Sequence, residues 1–239
     1  MERFRNTLFP SRIVMVAPNS TRCRDQAYEL FAAGLANLDS NAGLLQAATA
    51  INMHCDDSVC FEQVDNELRT LAARVRCRLK STHASAMLAH LHRVLFDEEG
   101  FEGNRDDYYN PRNSYIASVL ECKRGTPITL ALIYKCVAER LPIQVEGVGA
   151  PGHFLAQVEV EGRRALIDPF HGGRLLTRAE ALRRVEQTTG CVVPECVDVL
   201  APVTHRQWIE RMLNNLQVVF AQANCREDLA AMRELAALL

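Results

Sequence analysis

The sequence predicts an α+β protein: a helical N-terminal subdomain, a core in which one buried helix packs on an antiparallel sheet, and a short C-terminal helical pair. Three observations predict it. Apolar residues recur at steps of three and four along the first third of the chain, which is the helical period. The run from Ile128 to Leu141 is apolar nearly all round, as a helix buried on every side must be. Strand-length runs divided by a glycine-bearing turn follow it directly.

Taken in order, residues 1–19 show no period and end at Pro18-Asn19-Ser20, so they read as a loose arm. Thr21 to Leu95 reads as about four helices. Asp57 or Ser58 can cap the clearest of them, whose stripe is Phe61, Val64, Leu68, Leu71, Val75 and Leu79. Ala84, Met87, Leu88, Leu91, Val94 and Leu95 repeat the pattern, and a loop runs from Asp97 to Asp107. Asn110-Pro111 is a cap and first-turn pair that opens a short helix through Tyr115, Ile116, Val119 and Leu120. Thr126-Pro127 does the same for the buried helix. Strands are expected over Gln144–Val148, His153–Val160 and Arg164–Ile167, the last two joined by a turn at Glu161-Gly162. Thr177 with Glu180, and Thr204 with Gln207, have the spacing of capping boxes. Two helices, broken near Asn224, close the chain. The expected divisions are 1–96, 97–190 and 191–239.

Composition narrows the function. With 27 basic and 29 acidic residues in 239, the chain has no electrostatic appetite for nucleic acid or anionic lipid. No apolar run is long enough for a membrane span or a secretory signal, so a cytoplasmic protein is expected. The 9 cysteines are odd in number and sparse, which suits reduced thiols. Cys55/Cys60 and Cys191/Cys196 share a spacing, and His54 and His205 lie near, but packing as small hydrophobes is the preferred reading over zinc. No metal and no cofactor are expected.

His153 and Asp168 carry the chemical signal. A turn centred on Glu161-Gly162 sets Asp168 opposite Leu155 and His153 one diagonal step away on the same face. Diagonal neighbours lie roughly 7–8 Å apart at the backbone, within reach of an imidazole–carboxylate bond. Such a bond fixes the tautomer and frees the other ring nitrogen as a base. The same pair also fits a structural histidine following the Pro151-Gly152 turn.

The runs FDEEGFEGNRDDYYNPRNSYIASVLECKRGTPITLALIYKCVAERL and EGVGAPGHFLAQVEVEGRRALIDPFHGGRLL resemble the bacterial Sir-B-type transglutaminase-like proteins, whose domain also occurs in a vertebrate F-box protein. The resemblance is dense from about Leu95 to Leu176 and weaker upstream. It implies a papain-like core in which active relatives use a Cys-His-Asp triad for acyl transfer or hydrolysis. His153 then matches the triad histidine and Asp168 the aspartate. The nucleophile position falls on Pro127, at the start of the buried helix, where active members carry cysteine. Cys136, nine residues further along, stands about 13 Å down the axis. Cys122 ends the preceding helix, and a loop can fold it back toward His153; a partly buried helix-end thiol is the competing reading. Tyr108, Tyr109, Asn113 and His171 are candidates for lining a cleft. The tail from Trp208 resembles the start of the tetratricopeptide-like region of longer relatives.

The reading that follows is a non-catalytic transglutaminase-like protein with a regulatory role, binding a protein or peptide in a cleft that kept its His-Asp pair. The alternative is a cysteine acyltransferase or hydrolase using Cys122 with His153 and Asp168. Oligomeric state is left open.

Overall fold

The helical period of the N-terminal third becomes α1 (Asp25–Ala36), α2 (Asn41–Cys55), α3 (Phe61–Arg76) and α4 (Ala84–His92) in a computed structural model that describes residues 20–80, 83–192 and 198–239. The expected arm over 1–19 lies outside the described residues. α3 buries Val64, Leu68, Leu71 and Val75, one stripe at helical spacing. Its N-cap is Cys60 rather than Asp57 or Ser58. Asp56 instead accepts from the Ser58 amide and hydroxyl, which closes the loop ahead of the helix. α4 runs on into a π-helical turn, Arg93–Glu98.

Within the expected loop, β1 (Glu102–Gly103) pairs in parallel with β2 (Arg124–Gly125). Between them the anticipated single helix is two pieces. Asn110 accepts from the Arg112 amide and starts a 3₁₀ turn, Pro111–Ser114. Tyr115 is extended, and α5 (Ile116–Cys122) begins after it. Helix α6 (Pro127–Ala138) follows with every one of its residues buried. Pro127 takes its first position, where an N–H has no intrahelical partner in any case. Thr126 is the N-cap by position, but its hydroxyl bonds the Thr129 hydroxyl at 2.9 Å instead of a helix amide.

The sheet comprises β3 (Val145–Val148), β4 (Leu155–Val160), β5 (Arg163–Asp168), β6 (Arg174–Leu176) and β7 (Pro202–Val203), in the antiparallel order β6-β5-β4-β3-β7. The short edge strands β6 and β7 lack an alternation long enough to read from sequence. The β4–β5 turn is the expected Glu161-Gly162, with φ of 52° and 73°, the positive pair of a tight two-residue hairpin. Ala156 pairs with Ile167 and Val160 with Arg163, so the register is the one the turn demands.

That register divides the side chains between two faces. Ala156, Val158 and Ile167 join the core around α6, which also takes in Phe31, Leu68 and Trp208. Leu155 and Leu166 point the other way, onto Ala181 and Val185 of α7 (Arg178–Thr189). Both capping boxes form, Thr177 with Glu180 at α7 and Thr204 with Gln207 at α8 (His205–Gln222). After the break at Asn224, α9 (Arg226–Ala236) packs back on α8. No helix among the described residues is long and apolar enough to cross a membrane.

Trp208 of α8 lies flat against β3. A Cβ at Gly147 would stand 2.3 Å from its ring, and the ring is fully buried with no room to retreat. Gly147→Ala is expected to lower stability by about 1–3 kcal/mol through overpacking, measured by urea denaturation.

Candidate functional site

Asp168 is the last residue of β5 and 0% exposed. By alternation it shares the face of Leu166, toward α7, and the register sets it opposite Leu155. His153 lies two residues before that partner, in a turn rather than at the head of the strand, where the sequence had suggested it. The turn is closed by the His153 amide donating to the Ala150 carbonyl at 3.1 Å. Gly152 makes it possible: its φ is +70°, and a Cβ there would meet Thr188 of α7 at 2.5 Å. His153 Nε2 then lies 3.0 Å from Asp168 Oδ2. Nδ1 is left without a hydrogen bond to any described residue.

Two further groups meet the same carboxylate. His171 Nδ1 is 2.8 Å from Oδ2, and the His171 amide donates to Oδ1 at 3.2 Å, capping the short turn Pro169–His171. Arg184 of α7 donates to Oδ2 and reaches His171 Nδ1 at 2.7 Å. Burial on its own pushes a carboxyl up, but the hydrogen bonds and charge of His153 and His171 outweigh it and hold Asp168 well below the usual carboxylate range. The carboxylate is therefore ionised, as an orienting partner of an imidazole must be.

His153 stands between two small cavities. One, about 110 Å³, is lined by Tyr108, Pro127, Ile128, Phe154, Arg211 and His153 among others. The other, about 320 Å³, is lined by His153, His171, Arg184, Gln187 and Thr188. The first brings together the start of the buried helix and the imidazole, an arrangement in which a nucleophile at the helix N-terminus faces its base. A sequence profile of the transglutaminase-like superfamily matches residues 62–214. The chain belongs to that superfamily. The matched span opens in α3 and closes in α8, so the superfamily domain takes in helices on both sides of the sheet.

A UPF0162 protein of Xylella fastidiosa (strain 9a5c) is 44% identical over 147 residues, 60% of this chain and 52% of its own length. F-box only protein 21 of Mus musculus is 34% identical over 140 residues, 55% of this chain and 21% of its own length. A UPF0162 protein of Vibrio cholerae is 27% identical over 131 residues, 54% of this chain and 48% of its own. The chain thus spans about half the length of these bacterial relatives. No solved structure matches it.

Within this transglutaminase-like domain the candidate residues separate. His153, Asp168 and His171 converge, and Pro127 and Tyr108 share a cavity with His153. Tyr108 packs edge-on against Phe170, which also meets the His153 ring at 6.0 Å between centroids. Tyr109 is 62% exposed and lines neither cavity beside His153. Asn113 is 3% exposed; its amide donates to the carbonyls of Asp107 and Tyr108, so it holds the loop and does not line the cleft. Cys122 is exposed at the end of α5, with its thiol turned to the Arg124 carbonyl at 3.3 Å, and lines neither cavity.

Two arginines complete the site, and sequence reasoning missed both. Arg184 comes from the polar side of α7. Arg211 of α8 donates to the carbonyls of Ala150 and His153, at 2.8 and 2.9 Å, and lies over the Phe154 ring. It braces the turn that presents His153. Their only signal is a place on an amphipathic helix, which most solvated arginines share.

His153, Asp168 and His171 also offer three donor atoms within 4.8 Å of one another, a set that can hold a metal. The Arg184 guanidinium bridges two of those donors and takes the place of a cation, so the set does not suit a metal while Arg184 is there.

Asp168→Asn removes the charge that His153, His171 and Arg184 share. The substitution is expected to cost about 3–5 kcal/mol near neutral pH. Because the folded carboxyl lies below its unfolded value near 4, its contribution is complete above that pH and is lost as pH falls through the folded value. The stability gap between wild type and variant should therefore be constant from pH 5 upward and narrow below about 4, as read from denaturant titrations at each pH.

Proposed function

We propose that this chain is a non-catalytic transglutaminase-like protein of the Sir-B type, which uses the cleft around His153 to bind a protein or peptide in a regulatory role. The observation that carries the reading is Pro127. It opens the buried helix α6 and lines the same small cavity as His153, and no cysteine among the described residues lines that cavity. A proline side chain supplies neither thiol nor hydroxyl, so the imidazole has no nucleophile to deprotonate there. Cys122 does not restore one, because its thiol is bonded to a backbone carbonyl outside the cleft.

The cleft walls suit recognition. Tyr108 and Phe154 give rigid aromatic surface, backed by Phe170 against the Tyr108 and His153 rings, and Arg211 and the two histidines give polar handles. The bound species is expected to be a peptide segment, with no nucleic acid and no membrane involved.

Alkylation of Cys122, followed by peptide-mapped mass spectrometry across pH, tests the reading. The rate should rise with pH as for an ordinary exposed thiol and be the same within about twofold in His153→Ala. A fast, low-pH-activated reaction that disappears in His153→Ala would establish a working Cys–His pair and overturn the non-catalytic assignment. Selection from a displayed peptide library should yield ligands that lose at least about tenfold in affinity on Tyr108→Ala, the cost of an aromatic anchor.

A further inference from the structure

A second constellation of chemically capable side chains lies away from the His153 cleft, where the end of α2 meets the start of α9. We propose that His54, Cys55 and Asp228 bind a thiophilic divalent cation of the zinc class, with solvent in the fourth position. One donor atom from each lies within 4.8 Å of the other two, and no cationic side chain bridges them as Arg184 does in the cleft. His54 Nε2 and Asp228 Oδ1 stand 3.4 Å apart, too long for a strong hydrogen bond and close enough to share one ion. Thiolate, imidazole and carboxylate are all zinc ligands, and three protein ligands plus water is a common zinc arrangement.

The surroundings suit an ion. His54 is buried at the end of α2. The Cys55 sulfur lies 2.7 Å from the Tyr115 hydroxyl, which can donate to a thiolate and serve as an outer partner to the ligand. Of the other charged groups nearby, Asp56 and Glu234 are acidic, and Arg24 is paired with Asp57 at 3.0 Å. On binding, Cys55 releases its thiol proton to solvent, and the two anionic ligands balance the charge of the cation. The His54 proton moves to Nδ1, which gives up only the long 3.4 Å contact from the Arg24 amide. Of the pairs that cysteine spacing offered, Cys55 with His54 is the half that Asp228 joins; Cys191 is exposed, Cys196 lies outside the described residues, and His205 Nδ1 is bonded to the Leu38 carbonyl at 2.7 Å.

The test uses the full chain, stripped of metal and kept reduced with a phosphine. Zinc is titrated against a chromophoric chelator, and cobalt(II) is added in parallel as a spectroscopic probe. The expected result is one tight equivalent of zinc, and a cobalt complex with a thiolate-to-metal charge-transfer band in the near ultraviolet. Cys55→Ser should abolish that band, and both Cys55→Ser and Asp228→Asn should weaken zinc binding at least about tenfold. His171→Ala and Cys122→Ser should leave the affinity unchanged within about twofold. Circular dichroism of the metal-free variants checks folding, and if Cys55→Ser does not fold, the half-exposed Asp228→Asn decides. Failure to compete with the chelator, or equal affinity in the folded variants, would overturn the proposal. So would loss of binding in His171→Ala with retention in Cys55→Ser, which would move the ion to the cleft. None of these readouts depends on the role proposed for His153.

Discussion

A single buried negative charge organises the sheet end of this protein. Asp168 has no access to water, so its charge has to be met by protein groups. The His153 ring, the Arg184 guanidinium and the His171 amide meet it, and His171 Nδ1 lies 2.8 Å from the same carboxylate. They come from the turn before β4, the turn after β5, and α7. Holding one carboxylate therefore fixes three segments relative to one another. The hydrophobic contacts of Leu155 and Leu166 with α7 then pack around a geometry that the polar contacts have already set.

The site is built from two faces of the sheet. The sheet face carrying the His–Asp pair rests on α7, while the start of the buried helix lies on the other face, within the main core. His153 touches both because it sits in a turn beyond the end of its strand, free of the alternation that commits strand residues to one side. Arg211 holds that turn by its carbonyls, a task that needs no particular chemistry at the helix start. The His–Asp half can therefore persist unchanged whatever residue occupies position 127.

Much of this was legible in the sequence, and the reasons are specific. The hairpin register followed from Glu161-Gly162 alone, because a two-residue turn leaves no freedom in pairing and alternation does the rest. The burial of α6 followed from its unbroken apolar text. Boundaries were less legible: Pro151-Gly152 marked a turn but not that His153 closes it rather than starting the strand, and Tyr115 reads as helix although it is extended. Arg184 and Arg211 were invisible, because each reaches the site from a helix that pattern reasoning can only describe as amphipathic. His54 and Cys55 stood side by side in the sequence, but Asp228 was hidden, since it joins them only through the packing of α9 against α2.

Proline at the first position of α6 removes more than a side chain. The opening amides of a helix are its unpaired donors, and they are the natural stabilisers of an oxyanion formed beside them. Position 127 contributes no such amide, since a proline nitrogen bears no hydrogen. On the non-catalytic reading proposed for the cleft, one residue thus withholds both the attacking atom and one of the donors that would receive the negative charge it creates. The two deficits are unequal in how they are repaired: any residue other than proline at 127 returns the amide, and only serine, threonine or cysteine returns a nucleophile with it.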